Sequence, residues 1–90
     1  MNQDEKIKKY IETYGSISPL EAFRDLGITK LATVVSRMKR EGIVFFQRLE
    51  FSRNRFGENV HYMRYWLDEK QYKKDMEELK KWTKNNYLKH

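Results

Sequence analysis

The stretch Ser18-Pro19-Leu20-Glu21 constrains this chain more tightly than any other. The Ser18 hydroxyl suits a helix N-cap, and Glu21, three residues on, completes a reciprocal capping box. Pro19 fits the first helical position, where its missing N–H costs nothing. A helix must start here, and Gly27 stops it soon after. The helix is therefore short, and Leu20, Phe23 and Leu26 are expected to face inward. Ile28 follows as a buried hinge residue, and Thr29 is placed to cap a new helix at once.

That new helix spans about 30–41 and ends at Gly42. Leu31, Val34, Val35 and Met38 cluster on one side of it. Thr33, Ser36, Arg37 and Arg40 cluster opposite, with Lys30 at the margin. Upstream, residues 4–14 read as a helix with an apolar stripe of Ile7, Tyr10, Ile11 and Tyr14, acidic at its start and stopped by Gly15. Ser16-Ile17-Ser18 leaves room for a brief extended piece. After Gly42 the period changes. Ile43–Phe51 and Val60–Leu67 are β-type runs around the polar, turn-rich stretch Ser52–Asn59, which reads as a hairpin. Of Phe45 and Phe46, one ring belongs to the core and the other needs cover, for which the last helix is the candidate. Phe56, in the hairpin loop, has two readings, a wedge or stacking residue at the wing tip or a ring folded back onto the hairpin, and folding back is the expectation. Asp68 starts a last helix over 69–86, Gln71 completing its capping box, with a stripe of Tyr72, Met76, Leu79 and Trp82. The aromatic residues Tyr65, Trp66, Tyr72, Trp82 and Tyr87 read as packing residues.

The charge distribution adds the chemistry. The chain carries a net charge of +6. Residues 1–29 hold four Lys/Arg against five Asp/Glu, residues 30–64 eight against three, and residues 65–90 seven against five. Six of the seven arginines lie in the middle segment: Arg37, Arg40, Arg48, Arg53, Arg55 and Arg64. Arginine presents a planar donor fork that matches phosphates and guanine edges. A basic excess gathered in one segment, and made of arginine, points to a polyanion partner.

Other chemistries find no footing. There is no cysteine for disulfides, thiolate zinc sites or thiol catalysis. No HExxH, phosphate-cradling glycine loop or Ser/His/Asp spacing is present. Glu77 and Glu78 diverge by about 100° on a helix, so they are no acid/base pair. His61 lacks partners for a metal. The reading is a non-enzyme without catalytic residues, metal or cofactor. No run of apolar residues is long enough to span a membrane, and the polar start Met1–Lys6 does not read as a secretory signal, so the expected location is the cytoplasm.

Helix, short helix, tight turn, helix, two-stranded hairpin is the order of an α+β winged helix-turn-helix, here with an extra C-terminal helix. The expected organisation is a domain over residues 1–67 and a helical extension over 68–90. The two elements that would meet DNA, the second helix of the motif and the wing, carry the arginines. The sequence also resembles the small winged helix-turn-helix domains of bacteriophages and prophages over about residues 4–67. The resemblance lies in Ser16-Ile17-Ser18-Pro19-Leu20-Glu21-Ala22, Asp25-Leu26-Gly27-Ile28, Leu31 and Gly42, and in the wing Asn54-Arg55-Phe56-Gly57, Arg64-Tyr65 and Leu67. Met38 stands where that pattern has Leu. The resemblance implies DNA binding, often in a small regulator acting in the bacterial host cytoplasm. It also takes in phage proteins turned to protein targets, such as inhibitors of host defence systems of the anti-CRISPR kind.

On the DNA reading, the helix at 30–41 lies in the major groove of double-stranded DNA. Arg37 and Arg40 are placed for guanine, Thr33 and Ser36 for base edges or phosphates, and Lys30 for a phosphate. Arg53 and Arg55, with Asn54, reach the minor groove or flanking backbone. Neutralising about six phosphates gives a slope of log K against log salt near −5. On the protein reading, the same basic face meets an acidic or nucleic-acid-binding partner, a host defence or regulatory protein. A third option is a DNA-bending factor in which the wing matters more than the helix. The stripe Tyr72, Met76, Leu79 and Trp82 would serve either packing on the chain's own body or pairing with a second copy, and it is the candidate self-association surface of a homodimer.

Overall fold

A computed structural model describes residues 1–88, with side chains described as far as Glu78. The elements run α1 (Gln3–Tyr14), α2 (Pro19–Leu26), α3 (Leu31–Arg40), β1 (Phe46–Arg53), β2 (Asn59–Trp66) and α4 (Glu69–Leu88). This is the expected order, and the fold is a winged helix-turn-helix followed by a fourth helix.

Local chemistry sets most of the boundaries. Asn2 caps α1, its Oδ1 accepting from Glu5 N–H at 2.9 Å, so the helix starts one residue before the acidic pair. Gly15 closes it in a positive-φ conformation and donates to Ile11 O at 2.7 Å. The α2 capping box forms as expected: Ser18 Oγ accepts from Glu21 N–H at 3.4 Å, and Glu21 Oε1 accepts from Ser18 N–H at 2.9 Å. Gly27, at φ +71°, ends α2 in the left-handed region that suits glycine. At α3 the expected cap fails. Lys30 occupies the N-cap without a side-chain hydrogen bond, and Thr29 lies one residue outside it.

The core gathers Ile7, Tyr10 and Ile11 of α1, Ile17, Ala22, Ile28, and Leu31, Val34, Val35 and Met38 of α3, closed by Phe45 and Tyr65. Two expectations for inward-facing residues are corrected here. On α2, Ala22 is buried, while Leu20 and Phe23 are 68% and 59% exposed; Leu26 is partly buried. The capping box and the Gly27 turn orient this two-turn helix, and its small Ala22 fits the narrow space against α1 and α3. Leu20 then lies about 160° around the helix from Ala22. On α1, Tyr14 lies exposed at the end of the stripe, its ring tilted on Tyr10 at 4.6 Å.

The hairpin pairs antiparallel from Phe46↔Trp66 out to Arg53↔Asn59. Its base is anchored by Ile17, which exchanges two backbone bonds with Tyr65, at 3.0 and 2.9 Å. β1 starts three residues later than the apolar run suggests, because Ile43 turns onto the core after donating to Met38 O at 3.1 Å. The adjacent phenylalanines separate as the pleat requires. Phe45 enters the core edge-on to Tyr65 at 6.1 Å, and Phe46 stacks on Tyr72 of α4 at 5.5 Å.

α4 lies across the outer face of the hairpin. Asp68 Oδ1 accepts from Lys70 N–H at 3.0 Å and caps it. Gln71 does not complete a capping box; its amide donates to Asp75 at 2.9 Å, and Asp75 also accepts the Trp66 indole N–H at 2.7 Å. Tyr72 sits edge-on to Trp66 at 5.1 Å, and Met76 Sδ meets Arg48 at 3.1 Å. Half of the expected self-association stripe is thus in contact with the chain's own hairpin. Leu79, Trp82 and Tyr87 lie outside the described side chains. No described helix is long and apolar enough to cross a membrane.

Candidate nucleic-acid interface

The exposed side of α3 carries Thr33, Ser36, Arg37 and Arg40, with Lys30 at its start. At about 100° per residue these five fall within an arc of about 120°. The buried side of the same helix seats Leu31, Val34, Val35 and Met38 in the core, which fixes the arc outward. Arg40 and Lys30 have no side-chain partner among the described residues. Arg37 is different, because it pairs with Asp4 of α1. The Arg37 side chain remains 46% exposed, and exposed pairs of this kind contribute about 0–1 kcal/mol, so a competing phosphate could release it. Lys39, off the arc, bonds Gln47 and ties α3 to the hairpin.

The hairpin arginines divide into two groups. Arg53 and Arg55 are exposed at the far end and have no partner among the described residues. Arg48 and Arg64 face each other directly across the strands and are drawn inward. Like charges in that relation destabilise a hairpin unless an anion lies between them. Glu50 supplies it, with one oxygen 2.7 Å from Arg48 Nη2 and the other bonded to Arg64 Nε. Arg64 also donates to Glu21 Oε1 at 2.7 Å and to Ser16 Oγ at 3.0 Å. The carboxylate that caps α2 therefore also clamps the wing base. Burial works against the Arg64 charge, but Glu50 and Glu21 outweigh it and hold its pKa above the ordinary arginine value. Arg48 lies over the Trp66 ring, 5.2 Å from its centre, and its Nε is buried without a partner. Glu50 and the second role of Glu21 escaped the sequence reading. The signal was the Arg48–Arg64 opposition, visible only once the register is known.

Asn54 is placed at the wing tip as expected, but its side chain builds the loop. Its Oδ1 accepts from Phe56 N–H and Glu58 N–H, both at 3.0 Å. Phe56 does not fold back; it is 84% exposed. The polar bonds of Asn54 close the loop without it, and the neighbouring residues 51–60 are themselves exposed, so no apolar surface waits beneath the ring.

A separate hydrogen bond sets α1 against α2. Tyr10 donates its hydroxyl to Asp25 at 2.7 Å, and Arg24 holds the same carboxylate at 2.8 and 3.1 Å. Arg24 and then Tyr10 hold Asp25 down at about 2, while burial and Asp25 push Tyr10 up to about 12. This cluster joins α1 to α2 and takes in no residue of α3. Among the described residues no three His, Asp or Glu side chains gather as a metal site.

The family model described as a winged helix-turn-helix domain matches residues 2–70. No curated protein and no solved structure matches the chain. With well over half its length matched, the chain belongs to the winged helix-turn-helix family. Membership supports DNA binding in general, and the family is not typically enzymatic.

Proposed function

We propose that this winged helix-turn-helix chain is a small double-stranded-DNA-binding transcriptional regulator of the phage and prophage kind, working in the bacterial cytoplasm. Its α3 would lie in the major groove and its wing on the flanking backbone or minor groove. The observation that carries the reading is the sorting of the cations. Lys30, Arg40, Arg53 and Arg55, unpaired among the described residues, sit on α3 and the wing tip, whereas Arg48 and Arg64 are held inside. Arg40, and Arg37 once released from Asp4, would read guanine; each good bidentate contact contributes about 1–3 kcal/mol of base discrimination. Thr33 and Ser36 would serve base edges or phosphates, and Lys30 a phosphate. Residues 1–67 would form the binding unit and 68–90 a brace for the hairpin. With Tyr72 and Met76 already against that hairpin, pairing of two copies would fall to Leu79 and Trp82.

The test is fluorescence anisotropy with a mixed pool of duplexes titrated with salt, for the wild type and for Arg37→Ala with Arg40→Ala. Binding with a steep salt slope, lost in the double variant, supports the reading. Absence of binding at about 50 mM salt, where electrostatic attraction is strong, overturns it. One observation favours the protein-target reading instead. A groove of about 550 Å³ runs between α2 and the wing, with exposed Leu20 beside Val60, Tyr62 and Arg53. Under that reading Leu20→Asp abolishes inhibition of a defence system while DNA binding stays unchanged.

A further inference from the structure

We infer that Phe56 is a wedge that enters the minor groove of duplex DNA at a base step and kinks the duplex there. This rests on the DNA-binding reading and adds to it a named contact and a deformation. The tip is a built structure. Beyond the Arg53↔Asn59 pair, Asn54 N–H donates to Glu58 O at 2.9 Å and Gly57 N–H to Asn54 O at 3.0 Å. Asn54 Oδ1 accepts from the Phe56 and Glu58 amides from the other side, at 3.0 Å each. Gly57 turns the chain at φ +78°, where a side chain would be strained. The backbone of Phe56 is therefore held on both sides, and the ring it carries is the most exposed large apolar side chain of the described residues, at 84%.

Three features of this placement suit a wedge. Ordering the loop needs only the polar bonds, so the ring is not there to close it. Arg53 and Arg55 lie three residues and one residue before Phe56, without partners among the described residues, and arginine is the cation that narrow minor grooves attract. Each strand is eight residues long, so at about 3.3 Å per residue the hairpin carries the tip about 26 Å from its base. Apolar side chains inserted beside minor-groove cations unstack a base step and bend the duplex by about 20–90°. Pyrimidine–purine steps such as TA yield most easily.

The experiment uses the full chain and duplexes of random sequence around one fixed TA step. 2-Aminopurine replaces the adenine of that step, and dyes at both ends report the bend. The wild type is expected to raise the 2-aminopurine signal and shorten the end-to-end distance. Phe56→Ala is expected to bind with a salt slope within about 0.5 of the wild type, since no phosphate contact is removed, yet to produce neither signal. Phe56→Trp is expected to restore both. The loop is exposed and polar-bonded, so an unchanged thermal midpoint verifies that Phe56→Ala folds. If the wild type binds without unstacking or bending the duplex, or if Phe56→Ala bends it equally, the wedge is overturned while DNA binding stands. The exposed ring would then be a contact for a protein. Failure of the wild type to bind any duplex at low salt overturns both readings.

Discussion

Replacing Glu50 by alanine should unmake the base of the wing. Among the described residues this carboxylate is the one that touches both Arg48 and Arg64. Arg64 would keep Glu21 and Ser16. Arg48 would keep the Trp66 face and Met76 sulfur but no direct carboxylate contact among the described residues, with a side chain only 14% exposed. Removing one partner of a fully buried ion pair costs about 3–5 kcal/mol. The three side chains here retain 14–20% of their exposure, and one arginine keeps a second carboxylate. Water at the rim and that surviving partner reduce the expected loss to about 2–3 kcal/mol. In a domain this small, each kcal/mol shifts the thermal midpoint by about 4–8 °C, so the midpoint should fall by at least about 8 °C. Urea unfolding followed by circular dichroism at pH 7 measures the free-energy loss, and a thermal melt measures the midpoint. Arg48→Leu in the same background removes the stranded charge and should recover about half the loss, a non-additivity that a double-mutant cycle reads directly. In the DNA titration Arg48→Leu alone should leave the salt slope unchanged, because its guanidinium faces inward. A Glu50→Ala protein within about 0.5 kcal/mol of the wild type, or an Arg48→Leu protein with a shallower slope, would refute the internal role assigned to these arginines.

Arg53→Ala with Arg55→Ala should lower the magnitude of the salt slope by about 1.8, at about 0.9 per lost phosphate contact, in the same anisotropy titration. Met38→Ala, at a fully buried position in α3, should cost about 2–5 kcal/mol by urea unfolding, whereas Leu20→Ser, on the exposed face of α2, should stay within about 0.5 kcal/mol. Asp25 is held at about 2 against an ordinary 3.8, so its contribution is complete above about pH 4 and is lost as the pH falls through 2. Tyr10 is raised from 10.0 to about 12, so its contribution is complete below pH 10 and is lost as the pH rises through 12. Urea midpoints across pH should therefore lose part of their acid limb in Asp25→Asn and part of their alkaline limb in Tyr10→Phe.

Where the chain turns was largely legible in its residues. The Ser18–Glu21 box, the glycines at positions 15, 27, 42 and 57 and the shift from helical to strand periodicity act within about one helical turn, and each works as read. Thr29 shows the weakness of that logic. Its hydroxyl is a suitable cap, yet the helix begins one residue later, with Lys30 at its cap position. Which apolar face of a short helix is buried was not legible. Leu20 and Phe23 have the more hydrophobic pattern, but the space beside α1 and α3 admits Ala22. Phe56 failed for a related reason, since hydrophobicity alone does not supply a surface to fold onto.

The candidate site divides along the same line. The amino-acid sequence by itself determined the order of the elements and the crowding of arginines into the second helix of the motif and the hairpin, because caps, glycine turns and periodicity are local chemistry. Which of those arginines pair with a carboxylate among the described residues was decided only by the tertiary structure. Arg37 meets Asp4 across 33 residues of chain, and Arg64 meets Glu21 across 43. The register sets Arg48 opposite Arg64 and leaves Glu50, two residues along β1 on the same face, within reach of both. An ion pair depends on the distance between two charged groups in space, and that distance exists only once the helices have packed, the strands have paired and the hairpin has docked on α2.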